Sequence, residues 1–260
     1  MLSLESSGEE ELSIDTIVAR AEVRRGHARK LAHDLVRKGW IQRLGDGRYL
    51  LNPGRHGPDA VPDTDPFRLG AHLVRPYYFG YASAAELWGL LLQAGHVYYL
   101  VTPTRTAVRP DHAAQYRFVR VRRERFFGRV VLSRRGERIW VSDRERTLLD
   151  CLARPELAGG LPGVVQVLAR AGPGLRWDRL SRYLDRLGTP SLGRRLGFLA
   201  DRLGLTVPAG WRRRWRARAD DPWTPLGPPS EFARAGPHEP EWHVVRNVPD
   251  RFLLAEVGHP

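Results

Sequence analysis

Asp143, Glu145 and Asp150 lie close together in the sequence, and clustered carboxylates are what metal binding or general acid–base chemistry needs. The same residues suit the start of a helix. Ser142 and Glu145 have capping-box spacing, negative charge is favoured by the helix dipole there, and Arg146 offers an ion-pair partner. No second cluster of His or Asp completes a metal shell. His96, His112 and His243 are far apart and lack ligand spacing, as expected of surface or strand-end histidines. Cys151 is the only cysteine. It falls on the apolar side of the same helix, the place of a buried thiol rather than a nucleophile. It also rules out an intrachain disulfide, which fits a reducing compartment. Gly159 and Gly160 follow Pro155 and read as a turn, and neither a Walker loop nor a dinucleotide fingerprint occurs. The expectation is a chain with no catalytic residues, no metal and no cofactor, and not an enzyme.

Binding chemistry is more plainly written. The 260 residues carry a net charge of +13, with a pI near 10.8 and 42% hydrophobic residues. That is ordinary for a globular protein and basic enough to favour polyanionic partners, chiefly nucleic acid. The charge is concentrated. Residues 20–50 hold nine Lys or Arg against Glu22, Asp34 and Asp46, and residues 104–138 hold eleven Arg against Asp111, Glu124 and Glu137. Residues 1–12 are acidic and have no apolar run, unlike a signal peptide, and no stretch is apolar enough for a membrane helix. A cytoplasmic location and no membrane partner are expected.

The first basic segment has a recognisable frame. Ser13 can cap a helix with Ile14, Ile17, Val18 and Ala21 at helical spacing. After a break over 22–26, a second helix to about Lys38 sets Ala28, Leu31, Ala32 and Leu35 on one face. Gly39 ends it, and Trp40–Leu44, the turn Gly45-Asp46-Gly47 and Arg48–Leu51 predict a β-hairpin. This is the order of a winged helix-turn-helix, predicted over residues 1–52, although acidic 1–12 is a poor match to that fold's usual first helix. The candidate DNA-binding residues are Arg24 and Arg25 in the break, His27, Arg29, Lys30, His33 and Arg37 on the second helix, and Arg43 and Arg48 on the wing. The helix residues would face the major groove and the wing arginines the phosphates.

Residues 53–66 contain four prolines and two glycines and read as a linker. From 67 to 260 the pattern is a larger mixed domain, so the fold class is α+β. Predicted helices lie at 83–92 (capped by Ser83), from Ser142 to Pro155, and at 161–171, 177–187 and 192–203. Predicted strands lie at 96–102, 116–121, 126–132, 138–141 and 242–248. Two arginine runs stand out. One, Arg117 to Arg125, alternates on a strand without an all-basic face. The other, Arg212 to Arg218 between Trp211 and Trp215, would add phosphate contacts as readily as it would sit on a solvated surface.

Four segments in order resemble the AbiEi-type antitoxins, predicted transcriptional regulators of viral defence systems: LAHDLVRKGWIQRLGDGRYLL (31–51), YYFGYASAAELWGL (77–90), VSDRERTLLDCLARPELAGGL (141–161) and WHVVRNV (242–248). The third is the most specific, with Asp143, Glu145, Arg146, Thr147, Asp150, Pro155 and Gly159-Gly160 in the family's order. The resemblance implies an autorepressor of a type IV toxin–antitoxin operon that binds repeated operators in double-stranded DNA. It also implies a functional partner, an AbiEii-like nucleotidyltransferase toxin, and a larger domain associated with antitoxin activity. A stand-alone regulator, or an antitoxin that binds its toxin directly, would carry the same residues.

Overall fold

The computed structural model describes residues 11–52, 65–91, 95–109, 112, 114–218, 220–228, 231–233 and 235–253. The acidic lead-in before Glu11 and nearly all of the expected linker lie outside them. The fold is of the α+β class, in two units. One comprises Met1–Pro76 with Thr106–Ala114, and the other Tyr77–Arg105 with Gln115–Pro260.

In the first unit Glu11–Ser13 is a short strand (β1), and Ser13 then caps the first helix, Ile14–Ala21 (α1), accepting from the Thr16 amide at 2.9 Å. Glu22 takes left-handed φ of 52° and ends it. The break is shorter than expected, because the second helix, α2, already begins at Arg25 and runs to Arg37. Strands Ile41–Gly45 (β2) and Arg48–Leu51 (β3) pair antiparallel, and β1 joins β3 on its other side, giving the order β1-β3-β2. The hairpin turns through Asp46 and Gly47, both at positive φ (52° and 72°). A two-residue hairpin needs this to match strand twist, and Asp-Gly is a favoured pair for it. Leu12, Ile14, Ile17, Ala28, Ala32, Ile41, Tyr49 and Leu51 close over one small core.

The next helix, Pro66–Leu73 (α3), belongs to the same unit, so the unit boundary falls at Pro76 rather than at 66. Pro66 is its first residue, a position that needs no N–H. Asp65 caps it through the Phe67 amide at 3.1 Å. The proline that read as linker is therefore a helix start.

The second unit is built on a mixed five-stranded sheet of Tyr78–Phe79 (β4), Tyr98–Thr102 (β5), Tyr116–Arg120 (β6), Arg129–Arg134 (β7) and Glu137–Ser142 (β8), in the order β6-β5-β4-β8-β7. β5 and β6 are parallel, so the chain must cross over between them. Thr106–Ala114, which the first unit includes, lies in that crossover. Tyr81–Leu87 (α4), Arg144–Ala153 (α5), Gly160–Ala171 (α6), Trp177–Leu187 (α7), Pro190–Arg202 (α8) and Ala209–Trp215 (α9) contribute to one large core centred on Leu148, Leu149, Val164, Leu168, Leu184 and Leu196.

Two expected caps are replaced. α4 starts at Tyr81 after Gly80, and the Ser83 hydroxyl, buried inside the helix, accepts from the Tyr99 amide at 2.8 Å. α5 is capped by Asp143 instead of Ser142, whose hydroxyl turns to Thr147 at 2.7 Å. The closing strand is shorter than 242–248. Only Val244–Val245 (β11) pairs, antiparallel to His238–Glu239 (β10) and parallel to Thr224–Pro225 (β9). A four-residue helix, Asp250–Leu253 (α10), ends the described chain. Among the described residues, no helix is long and apolar enough to cross a membrane.

Candidate nucleic-acid interface

α2 buries Ala28 and Ala32 and half-buries Leu31 and Leu35, as the spacing requires. The opposite surface exposes Arg24, Arg25, His27, Arg29, Lys30, His33 and Arg37. These do not form one set. Arg25, Arg29 and His33 lie one turn apart with Val36 and line a groove of about 500 Å³, whose other wall is the hairpin, with Arg43 and Tyr49. Arg24, His27, Lys30 and Arg37 lie outside it.

Charge is not free at every position. Arg25 is ion-paired with Asp15 of α1, both exposed. Arg37 reaches Asp34 at 3.5 Å, one turn back. Exposed pairs of this kind are weak, at about 0–1 kcal/mol, and can be traded for another anion. Arg48 is held differently. It meets Glu11 at 3.3 Å, and the same carboxylate takes a 2.5 Å hydrogen bond from His72 and lies 3.7 Å from Arg75. Burial would raise the Glu11 carboxyl, but the His72 hydrogen bond and the charges of His72, Arg48 and Arg75 outweigh it and hold it below its ordinary value. Arg48 thus contributes to the joint between β1, β3 and α3. Arg29, Lys30 and Arg43 are exposed and have no carboxylate partner among the described residues.

The hairpin has a support that its own sequence does not announce. Arg109 pairs with Asp46 at the turn at 2.7 Å, and His112 donates to the Arg43 carbonyl at 2.8 Å. Gly45 is at φ 109°, and any side chain there would run into Arg109. Both supporting residues come from more than sixty positions downstream, inside the second basic segment, and no local spacing links them to the hairpin.

With this geometry in place, comparison with solved structures adds a likeness of fold. The chain resembles in fold the RV2827C protein from Mycobacterium tuberculosis, with a TM-score of 0.69 over 99% of this chain and 93% of that one, at 19% identity. The kinship is of fold. No protein-family model matches the chain, and no curated protein sequence does.

The clustered carboxylates Asp143, Glu145 and Asp150 of the second unit hold structural contacts, with Oδ2 of Asp150 left unpartnered. Asp143 caps α5 through the Arg146 amide at 2.8 Å and accepts from the Tyr183 hydroxyl at 2.6 Å. Burial raises its carboxyl, and the hydrogen bonds from Tyr183 and the Arg146 amide offset part of that. Glu145 accepts from the Arg176 amide at 2.9 Å and from Arg179 at 3.2 Å. Asp150 holds the Arg146 Nε at 2.8 Å, both buried. Asp143 and Glu145 tie α5 to α7, Asp150 pairs within α5, and no metal-ligating group of three occurs among the described residues. Cys151 is fully buried, which pushes its thiol up and leaves it un-ionised and unreactive.

The C-terminal arginine run is largely structural as well. Arg212 joins Asp201 and Glu241, Arg214 takes both oxygens of Asp185 at 2.8 Å, and Trp211, Trp215 and Trp242 are buried together. The Trp242 indole donates to Asp201 at 2.8 Å.

Proposed function

We propose that the chain is a sequence-specific DNA-binding repressor of the AbiEi antitoxin kind, with a winged helix-turn-helix over residues 11–52. Helix, tight turn, basic helix and hairpin in that order, with β1 as third strand, support the assignment. The observation that carries it is the exposed face of α2: Arg29 and His33 share a groove with the hairpin's Arg43, Lys30 is exposed outside it, and no carboxylate among the described residues covers Arg29, Lys30 or Arg43. A helix with one face locked and one face basic is what the major groove accepts, with arginine bonding guanine through its two-pronged donor set. Arg29, Lys30 and His33 read bases in this account. Arg43 grips phosphate, and Arg25 and Arg37 exchange their weak surface pairs for the backbone. Arg24 and His27 flank the site, and Arg48 serves the fold first.

On the same reading the second unit carries the antitoxin role toward an AbiEii-like nucleotidyltransferase, in the cytoplasm and without catalysis of its own. The engagement of Asp143, Glu145 and Asp150 in caps and ion pairs supports the non-enzymatic part. The test is fluorescence anisotropy of the full chain against its own upstream DNA and a scrambled duplex at two salt concentrations. The upstream duplex should bind far more tightly, and Arg29→Ala or Lys30→Ala should each weaken it by about 1–3 kcal/mol where the side chain touches a base. Equal, steeply salt-dependent affinity for both duplexes defeats the sequence-specific reading.

A further inference from the structure

The second unit contains a cavity of about 640 Å³ between β6, α5 and the start of α8. That is within the range of small-molecule sites, about 300–1,000 Å³. Six arginines line it, Arg120, Arg122, Arg125, Arg146, Arg154 and Arg195, against Asp150 as the one acid. Among the described residues Arg120, Arg122, Arg125 and Arg195 have no carboxylate partner. Arg195 spends its Nε on the Pro225 carbonyl at 3.0 Å, and Arg125 reaches only the Leu187 carbonyl at 3.3 Å. Burial holds the Arg195 guanidinium below its ordinary range, the mark of a cation left without its counter-charge.

Two further observations point to a missing anion. Arg146 is 2% exposed and gives its Nε to Oδ1 of Asp150, yet its Nη1 is buried without a hydrogen-bond partner, as is Oδ2 of Asp150. Such an orphaned charged donor is costly unless something occupies the space before it. The second is the N-terminus of α8, a thirteen-residue helix with Thr189 and Ser191 in the cavity wall. Thr189 stands at the cap position, but its hydroxyl donates to the Leu187 carbonyl at 3.1 Å and no side chain caps the helix. Pro190 has no N–H and the Leu192 amide is spent on the Thr189 carbonyl at 3.1 Å, which leaves the Ser191 amide as the first-turn donor for an anion.

We propose that this cavity is a binding site for a phosphate-bearing small molecule of nucleotide size. Arg120, Arg122 and Arg195 supply forked donors to phosphate oxygens, and Arg146 and the Ser191 amide close the inner end. Leu149, Leu187 and Leu192 give the same cavity an apolar wall for the rest of the ligand. The site is independent of whatever the first unit binds.

Isothermal titration of the full chain with ADP and, separately, with inorganic pyrophosphate tests it. One-to-one saturable binding is expected, weakened about tenfold or more in an Arg120→Ala/Arg122→Ala double variant. Both arginines are exposed, so that variant keeps its fold. Arg195→Gln should weaken binding too, whereas Arg123→Ala, in the same run but outside the cavity lining, should leave it unchanged. Tighter binding of ADP identifies a nucleotide, and equal binding identifies the diphosphate group as the whole ligand. The proposal is overturned by absence of saturable binding to both probes, or by equal weakening in Arg123→Ala. Binding of a short single-stranded oligonucleotide when neither small probe binds also overturns it, since that describes an open basic surface.

Discussion

Two arginine-rich stretches of the second unit look alike as text and differ in kind as structure. In Arg212 to Arg218, Arg212 meets Asp201 and Glu241 and Arg214 meets Asp185, while Trp211 and Trp215 beside them are buried in the core. In Arg120 to Arg125 no carboxylate arrives at Arg120, Arg122 or Arg125, and Glu124, the acid within the run, is exposed, its carbonyl accepting from Arg186 at 3.2 Å. The difference is set by acids that lie elsewhere in the chain. A run of positive charge is a structural element where folding brings it counter-charges, and a binding surface where folding does not.

The largest effect is expected at the most buried ion pair of the second unit, a carboxylate whose cation folding does supply. Arg146→Met leaves Asp150 buried beside a lost guanidinium, which should cost about 3–5 kcal/mol, read from the midpoint of urea unfolding at constant slope. A loss below about 1 kcal/mol would mean that the pair is not the joint described. Trp242→Ala should remove about 3–5 kcal/mol by cavity formation, detected the same way, and a near-neutral result would show that the C-terminal region is not part of the core. Arg214→Ala and Arg120→Ala separate the two stretches directly. The first loses a half-exposed bidentate pair and should cost up to about 1 kcal/mol, while the second should lie within about 0.5 kcal/mol of the parent. Equal losses would erase the distinction.

The smallest effect is one of pH. The folded Glu11 carboxyl is held below its ordinary value of 4.5, so its contribution is fully present above that pH and is lost as pH falls through the folded value. Glu11→Gln should flatten the acid limb of the first unit's unfolding, followed by the fluorescence of Trp40. An unchanged acid limb would remove Glu11 from the joint.

The sequence made the first unit largely legible, because its signals are local. Ser13 as a cap, the Ala28–Ala32 face and the Asp46-Gly47 turn each act within a few residues, and each stands where the spacing puts it. Features that depend on distant partners were not readable. Ser83 and Ser142 had good cap spacing, but tertiary partners, the Tyr99 amide and Thr147, took their hydroxyls. Pro66 looked like linker because a proline at a first helical position cannot be told from one in a coil without the buried face behind it, here Phe67 and Ala71. The carboxylate cluster was legible as structural because Arg146 sat one turn from Asp150. The cavity was not, since its arginines come from three separate elements.

The contact of Arg109 and His112 with the hairpin carries a consequence for how the protein is made. The first unit is discontinuous in the chain, interrupted by β4, α4 and β5. During synthesis from the N-terminus, the two helices and the hairpin emerge early, but the residues that brace the turn at Asp46 and the Arg43 carbonyl appear only after two of the five strands of the other unit's sheet have been translated. A fragment ending at Pro76 would therefore hold the complete basic helix beside an unbraced hairpin. Separating the two units calls for a graft of 106–114, not a cut.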